Sequence, residues 1–248
     1  HKYDLTSCTA FAAGGAPRPV DHVKKIRKEM SWGYPLLGYG LTETNGVGCG
    51  NFTENYLLKP TSTGPATKPL VEVEMLDDDG NRMPQGERGE VCIRTIANLN
   101  GYCDNEKATS DAFTKDGFFR TGDIGYLDED GYLFIVDRKK DIIIRGGENI
   151  SSLEIEELLL QVPGVREAAA IGAPDSRLGE RICAVVDTTG SGQTPSLAEL
   201  AAHVRGRLAD YKAPRELVLA PVVRAPNGKV DYKAVRIQAL EALGVTAG

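Results

Sequence analysis

Residues 137–149, Asp-Arg-Lys-Lys-Asp-Ile-Ile-Ile-Arg-Gly-Gly-Glu-Asn, constrain this chain more than any other stretch. Five consecutive charged side chains end a strand-like segment, three β-branched isoleucines follow, and a glycine pair then breaks the pattern. Burying a run of charges is unfavourable unless each is paired, so the run belongs on a surface where one compact unit stops and another begins. At 248 residues the chain is long enough to give two such units a core each. A solvated crossing between domains is the first expectation for this run.

The patterning differs on its two sides. Residues 1–60 carry strand-like pieces at 5–11 and 36–37 around a helix-like stretch at 21–30, a βαβ fragment, while 42–51, rich in Thr and Gly, reads as loop. Residues 61–137 are β in style. Val71-Glu72-Val73-Glu74-Met75-Leu76 alternates with period two, a turn rich in Asp and Gly follows, and 89–94, 124–127 and 132–136 continue the pattern. Residues 142–248 are α/β. Ser151 with Glu154, and Ser196 with Glu199, have capping-box spacing, and apolar residues follow each on one helical stripe. Strands are expected there at 166–172, 181–188 and 216–222. The expected fold class is mixed α/β: an α/β piece over 1–60, a β-rich subdomain over 61–137, a hinge at 138–141 and a small α/β domain over 142–248.

Composition narrows the function classes. Hydrophobic residues make up 41% and charged residues 26%, as in globular domains, which excludes disorder as the main state. A net charge of −6 argues against a general nucleic-acid binder. One basic stretch stands out: 212–236 holds Lys212, Arg215, Arg224, Lys229, Lys233 and Arg236 against Glu216 and Asp231, which suits either a small polyanion or a solvated face. Five cysteines without a C-x-x-C suggest neither a disulfide framework nor a zinc site and favour a reducing cytoplasm. No apolar run has the length of a membrane span, which leaves peripheral membrane contact open. The His-Lys-Tyr-Asp start reads as a fragment of a longer protein.

Several clusters carry chemistry. Gly38-Tyr39-Gly40-Leu41-Thr42-Glu43-Thr44 sets an aromatic between glycines and follows it with hydroxyls and a carboxylate. Glycines admit a flat ring, a tyrosine face stacks on a base, and Thr and Glu suit phosphate and Mg²⁺. A common glycine-rich turn fits the same letters. Thr121-Gly122-Asp123 offers a carboxylate at a tight turn, able to accept from a ribose diol, or merely a turn-forming Asp. Pro226-Asn227-Gly228-Lys229 reads as a hairpin turn presenting a lysine.

Together these pieces resemble one family. Gly14-Gly15-Ala16-Pro17, Tyr39-Gly40-Leu41-Thr42-Glu43, Gly89-Glu90 with Gly101-Tyr102, Arg120-Thr121-Gly122-Asp123, Asp137-Arg138-Lys139-Lys140-Asp141, Gly146-Gly147-Glu148-Asn149 and Pro226-Asn227-Gly228-Lys229 follow in order. The chain is similar to the adenylate-forming superfamily of acyl-CoA synthetases, peptide-synthetase adenylation domains and firefly luciferase. That resemblance implies an acid and ATP forming an acyl-adenylate with release of pyrophosphate, after which a thiol displaces AMP.

The resemblance implies roles for individual residues. Gly15, Ala16, Pro17, Gly38 and Gly40 would line the nucleotide site, with adenine stacked on Tyr39, phosphate at Thr42 and Mg²⁺ at Glu43. Ribose hydroxyls would go to Asp123 with Arg138 nearby, and Lys229 would stabilise charge on the α-phosphate. Lys140 would be the hinge on which the small domain swings between half-reactions, and Gly146 and Gly147 would border the pantetheine channel of coenzyme A. The Gly-Gly-Glu-Asn-Ile form resembles acyl-CoA synthetases, so a small carboxylic acid, fatty or aromatic, and coenzyme A are the expected partners. The family's phosphate loop and much upstream sequence are absent, so these residues alone are expected not to adenylate acids at a useful rate. An amino-acid adenylation domain, a luciferase-like oxygenase and a non-catalytic AMP- or CoA-binding module are the alternatives.

Overall fold

The structure, a computed structural model, describes residues 3–15 and 20–245. The chain divides into two compact units, His1–Val136 and Asp137–Gly248.

The first unit opens with β1 (Ala10–Gly14), α1 (Val20–Glu29) and β2 (Tyr34–Tyr39). β1 and β2 pair in parallel, with Ala10 opposite Tyr34 and Gly14 opposite Gly38, as a βαβ unit requires. The strand begins later than the sequence suggests because 5–8 is a turn: Cys8 N–H donates to Leu5 O at 2.9 Å and the Trp32 indole donates to the same oxygen at 2.9 Å. β3 (Cys49–Asn51) runs antiparallel to β2, within a stretch that reads as loop. Glycine makes the pairing possible, since a Cβ on Gly48 would sit 2.2 Å from Tyr39 O. α2 (Thr53–Leu58) follows, and Val23, Leu37 and Tyr56 close a small core between the helices and the sheet.

A five-stranded sheet completes this unit: β4 (Gly64–Pro65), β5 (Val71–Leu76), β6 (Gly89–Thr95), then α3 (Glu106–Ala112), β7 (Phe119–Leu127) and β8 (Tyr132–Arg138, its last two residues counted with the second unit), in the order β4-β8-β7-β6-β5. Its core of Val71, Met75, Val91, Ile93 and Leu133 also includes Cys49, with Tyr39, Leu41 and Val47 packed against it. The end of β2 and the loop after it are therefore seated on this second sheet.

The second unit begins with the hairpin β9 (Ile143–Arg145) and β10 (Glu148–Ile150), followed by α4 (Ser152–Leu159), β11 (Glu167–Asp175), β12 (Gly179–Asp187), α5 (Leu197–Arg205), β13 (Glu216–Leu219) and α6 (Tyr232–Ala242). The sheet runs β10-β9-β12-β11, with β13 parallel to β12. Alternation along β12 sorts its two faces. Ile182, Ala184 and Val186 meet Ile155 and Leu159 of α4 and Leu200 and Val204 of α5, whereas Cys183 and Val185 meet Val235, Ala239 and Leu240 of α6. This is a three-layer α/β/α domain. Ser151 and Ser196 cap α4 and α5 through the amides of Glu154 and Glu199.

The charged run is not wholly solvated. Asp137 is 2% exposed, and its carboxylate accepts from Ser152 N–H at 2.7 Å and Ser152 Oγ at 3.3 Å. The first residue of the run is thus anchored at the start of α4, where N–H groups lack helical partners. Burial raises the Asp137 carboxyl above its ordinary value.

Glu156, one helical turn after Ser152, is buried as well. It accepts from Ala170 N–H at 2.8 Å and from Tyr232 O–H at 2.8 Å and 3.0 Å on its two oxygens. Burial pushes its carboxyl up to about 8 in spite of these donors. The folded chain then keeps a proton that the unfolded chain releases, so this group's contribution is complete below 4.5 and lost as pH rises to about 8. At about 1.4 kcal/mol per pH unit the ceiling is roughly 5 kcal/mol, and water penetration lowers it. Glu156→Gln should therefore flatten the decline in thermal stability between pH 5 and 8. An unchanged slope in calorimetric melts would show that Glu156 is ionised throughout.

Candidate functional site

Parallel strands leave their C-terminal ends free for ligand loops. Gly15 follows β1 and Gly40–Glu43 follows β2, beside each other at that end of the sheet. Gly15 is exposed with φ 79°, and Ala16 and Pro17 lie outside the described residues. The two glycines flanking Tyr39 have different jobs. A Cβ on Gly40 would come within 2.4 Å of Gly46 O, so the loop's own backbone requires this glycine. A Cβ on Gly38 would meet nothing within 4 Å, so no close contact requires this glycine.

Tyr39 O–H donates to Asp123 Oδ2 at 2.6 Å across 84 residues of sequence. Burial, reinforced by the Asp123 carboxylate, pushes the phenol far above its ordinary value, so it stays a donor. Asp123 is 4% exposed and does not sit at a tight turn, as its sequence suggests. It lies within the long strand β7, where register slips: Cys92 faces Arg120 and Glu90 faces Ile124, so Thr121-Gly122-Asp123 bulge out opposite Val91. The neighbours fix this bulge. Thr121 Oγ1 donates to Val91 O at 2.7 Å and accepts from Asp123 N–H at 3.1 Å. Glu90 accepts from Gly122 N–H at 3.2 Å and from Arg120 at 2.8 Å.

Thr42–Thr44 form one 3₁₀ turn, with Thr44 buried and Thr42 exposed. Glu43 is half-buried, and its carboxylate accepts from Tyr102 O–H at 3.2 Å while its carbonyl accepts from Leu99 N–H at 2.7 Å. Among the described residues no group of three or more His, Cys, Asp or Glu is arranged to hold a metal. One accessible carboxylate nevertheless fits Mg²⁺, which takes few protein ligands and completes its shell with phosphate oxygens and water.

The remaining candidates belong to the second unit. Arg138 ends β8 and, like Lys140, is exposed; Lys140 sits in a turn closed by Asp141 N–H to Arg138 O at 2.9 Å. Gly146 and Gly147 have φ of 63° and 88° at the tip of the β9–β10 hairpin, the signs a type I′ turn demands. The hairpin thus accounts for both glycines on backbone grounds. Lys229 is exposed at the tip of its turn, where Gly228 has φ 81° and Lys229 N–H donates to Asn227 Oδ1 at 3.1 Å. The basic stretch around it is largely spent internally. Lys212 pairs with Glu154, Arg215 with Asp210, Arg224 with Glu167 and Arg236 with Glu180. Among the described residues Lys229 and Lys233 are its two cations without an ion-pair partner. No helix of the described residues is long and apolar enough to cross a membrane.

Comparison with known proteins gives the class. The chain matches the family described as AMP-binding enzyme over residues 1–103 and the AMP-binding enzyme C-terminal domain over 154–229. These two matches take in more than half of the chain, which belongs to the AMP-binding enzyme family. It is 40% identical over 230 residues to the long-chain-fatty-acid–CoA ligase FadD13 of Mycobacterium tuberculosis, covering 92% of this chain and 44% of that protein. It is 35% identical over 244 residues to a putative acyl–CoA ligase, YdaB, of Bacillus subtilis, covering 97% of this chain and 47% of that one. Among solved structures, ATP-bound MatB from Rhodopseudomonas palustris superposes with a TM-score of 0.84 at 33% identity, covering 92% of this chain and 45% of that one. The o-succinylbenzoate CoA synthetase MenE of Bacillus subtilis, solved with its acyl-adenylate intermediate, gives 0.82 at 31%, covering 92% of this chain and 45% of that one. The chain spans less than half the length of these relatives.

Sequence reasoning gave no role to Glu90, Arg120, Tyr102, Ser152, Glu156 or Tyr232. Each acts through a partner distant in sequence, and no local spacing announces such a pair. Glu90, Tyr102 and Arg120 do lie in the family-like motifs, which was the available signal.

Proposed function

We propose that this chain serves an AMP-forming acid–thiol ligase that converts a fatty or aromatic carboxylic acid, ATP and coenzyme A to an acyl-CoA through an acyl-adenylate. The carrying observation is the Tyr39–Asp123 hydrogen bond at the C-terminal end of the parallel strands. It holds a carboxylate that can accept ribose hydroxyls beside a tyrosine ring on which a base can stack. Thr42 and Glu43 follow on the same loop, a hydroxyl for a phosphate oxygen and a carboxylate for Mg²⁺. When bound there, Mg²⁺ would neutralise phosphate charge. Lys229 supplies a fixed positive charge to the α-phosphate during adenylation, and Arg138 contacts the ribose. Gly15, Ala16 and Pro17 line the nucleotide site, and Gly146 and Gly147 leave room for the pantetheine arm. A reducing, cytoplasmic setting accords with five free cysteines.

The activity is proposed for a polypeptide of the relatives' length; the 248 residues alone should bind AMP without releasing pyrophosphate from ATP at a useful rate. Calorimetric titration with AMP tests the nucleotide site directly, and absence of binding would overturn it. Lys140 is proposed as the residue whose backbone angles change between the two half-reactions. Lys140→Pro fixes φ and restricts Lys139, so in a full-length ligase it should spare one half-reaction and impair the other. Equal loss of both would remove Lys140 from this role.

A further inference from the structure

The turn that carries Lys229 is attached to the rest of its unit by two legs. Arg224 on the first leg pairs with Glu167 of β11 at 2.9 Å and donates to Gly228 O at 2.8 Å. That pair is partly exposed, at 45% for Arg224 and 27% for Glu167, and such ion pairs hold geometry weakly. The second leg returns through Val230, bridged to Arg224, and Asp231, which accepts from Ala234 N–H at 3.1 Å as the cap of α6. Tyr232 is the first residue of α6, three positions after Lys229. Its hydroxyl enters the interior and donates to both oxygens of Glu156.

Glu156 is 7% exposed on α4 and also accepts from Ala170 N–H of β11. A buried carboxyl group bound to two other elements cannot shift without losing hydrogen bonds that water does not replace. One helical turn earlier on the same face of α4, Ser152 binds Asp137. One face of α4 thus joins the start of the charged run to the base of the Lys229 turn.

We infer that Tyr232, held by Glu156, is a positioning residue for Lys229, and that α4 carries this constraint from Asp137. The inference rests on the adenylation role proposed for Lys229. The charge of a lysine on a turn is useful only where it arrives in the same place each time, because catalysis by fixed charge depends on preorganisation. Gly228, a partly exposed ion pair and the turn's own backbone bonds set its local shape, whereas the Glu156–Tyr232 contact ties it to the interior.

Tyr232→Phe removes the hydroxyl and keeps the ring, which packs against the α6-side core. In the 248-residue chain, hydrogen exchange at the amides of Ala225, Gly228, Lys229 and Asp231 should then accelerate about tenfold. Amides of the β11–β12 ladder should keep their rates, and Glu156→Gln, which retains an acceptor for Tyr232, should leave the turn within about twofold of wild type. In a full-length ligase, Tyr232→Phe should lower kcat for acid-dependent pyrophosphate exchange about tenfold with KM for ATP unchanged, and leave thioester formation from preformed acyl-adenylate intact. Unchanged exchange at the four amides would overturn the inference. So would a faster-exchanging turn with unchanged kcat in an active full-length enzyme. A wild-type full-length protein without pyrophosphate exchange would instead overturn the ligase reading, while the amide measurement would still decide whether Tyr232 holds the turn.

Discussion

Lys229→Ala in a full-length ligase should slow acid-dependent pyrophosphate exchange by about 10²–10³-fold, the range found when one preorganised charge-stabilising group is removed. Several observations set this expectation. Lys229 is exposed at a turn tip, and of the six cations in its stretch it is one of two whose charge no carboxylate among the described residues engages. Asn227 and a glycine in the left-handed region shape the turn that carries it. The folded state should hardly register the change, since exposed substitutions away from caps and cores usually fall within about 0.5 kcal/mol. The thioester step from synthetic acyl-adenylate should proceed at the wild-type rate. Isotope exchange and thioester formation, measured on the same variant, separate these effects. Equal loss of both steps would mean that Lys229 does not act on the α-phosphate.

Asp123→Ala should weaken AMP binding to the 248-residue chain by about 10- to 100-fold, the loss expected for charged hydrogen bonds. It should also destabilise the first unit by about 1–3 kcal/mol, because the buried Tyr39 hydroxyl loses its acceptor. Tyr39→Phe separates the contributions: the carboxylate stays, and AMP binding should fall by a smaller factor. Calorimetric titration and thermal melts on the three proteins read both quantities. Unaltered AMP affinity in Asp123→Ala would place the ribose elsewhere.

What the sequence made legible is what local chemistry determines. Alternation over Val71–Leu76 marks β5 at its observed bounds, because one face of that strand must be apolar. Ser196 and Glu199 announce the start of α5, and both bonds of their capping box form. The same spacing at Ser151 and Glu154 yields the serine cap of α4. The parallel βαβ start was also readable, although β1 begins at Ala10 because Trp32 and Cys8 hold residue 5 in a turn.

The illegible features depend on partners far along the chain. Asp137 looked like one more surface charge because its partner, Ser152, begins a helix 15 residues later. Asp123 looked like a turn residue, since a bulge is defined by the register of the opposing strand and by Glu90, 32 residues before Gly122. Glu156 and Tyr232 lie 76 residues apart and carry no motif between them. Gly146 and Gly147 illustrate the opposite hazard. Their letters suit a channel wall, yet the type I′ hairpin requires them whatever passes beside it.

The most direct measurement is an inventory of nucleotide products. A full-length ligase carrying this chain, given ATP, coenzyme A and a panel of fatty and aromatic acids, should release one AMP and one pyrophosphate for each thioester formed, with no turnover when the acid is omitted. Release of ADP and phosphate, or thioester formation without AMP, would contradict the account.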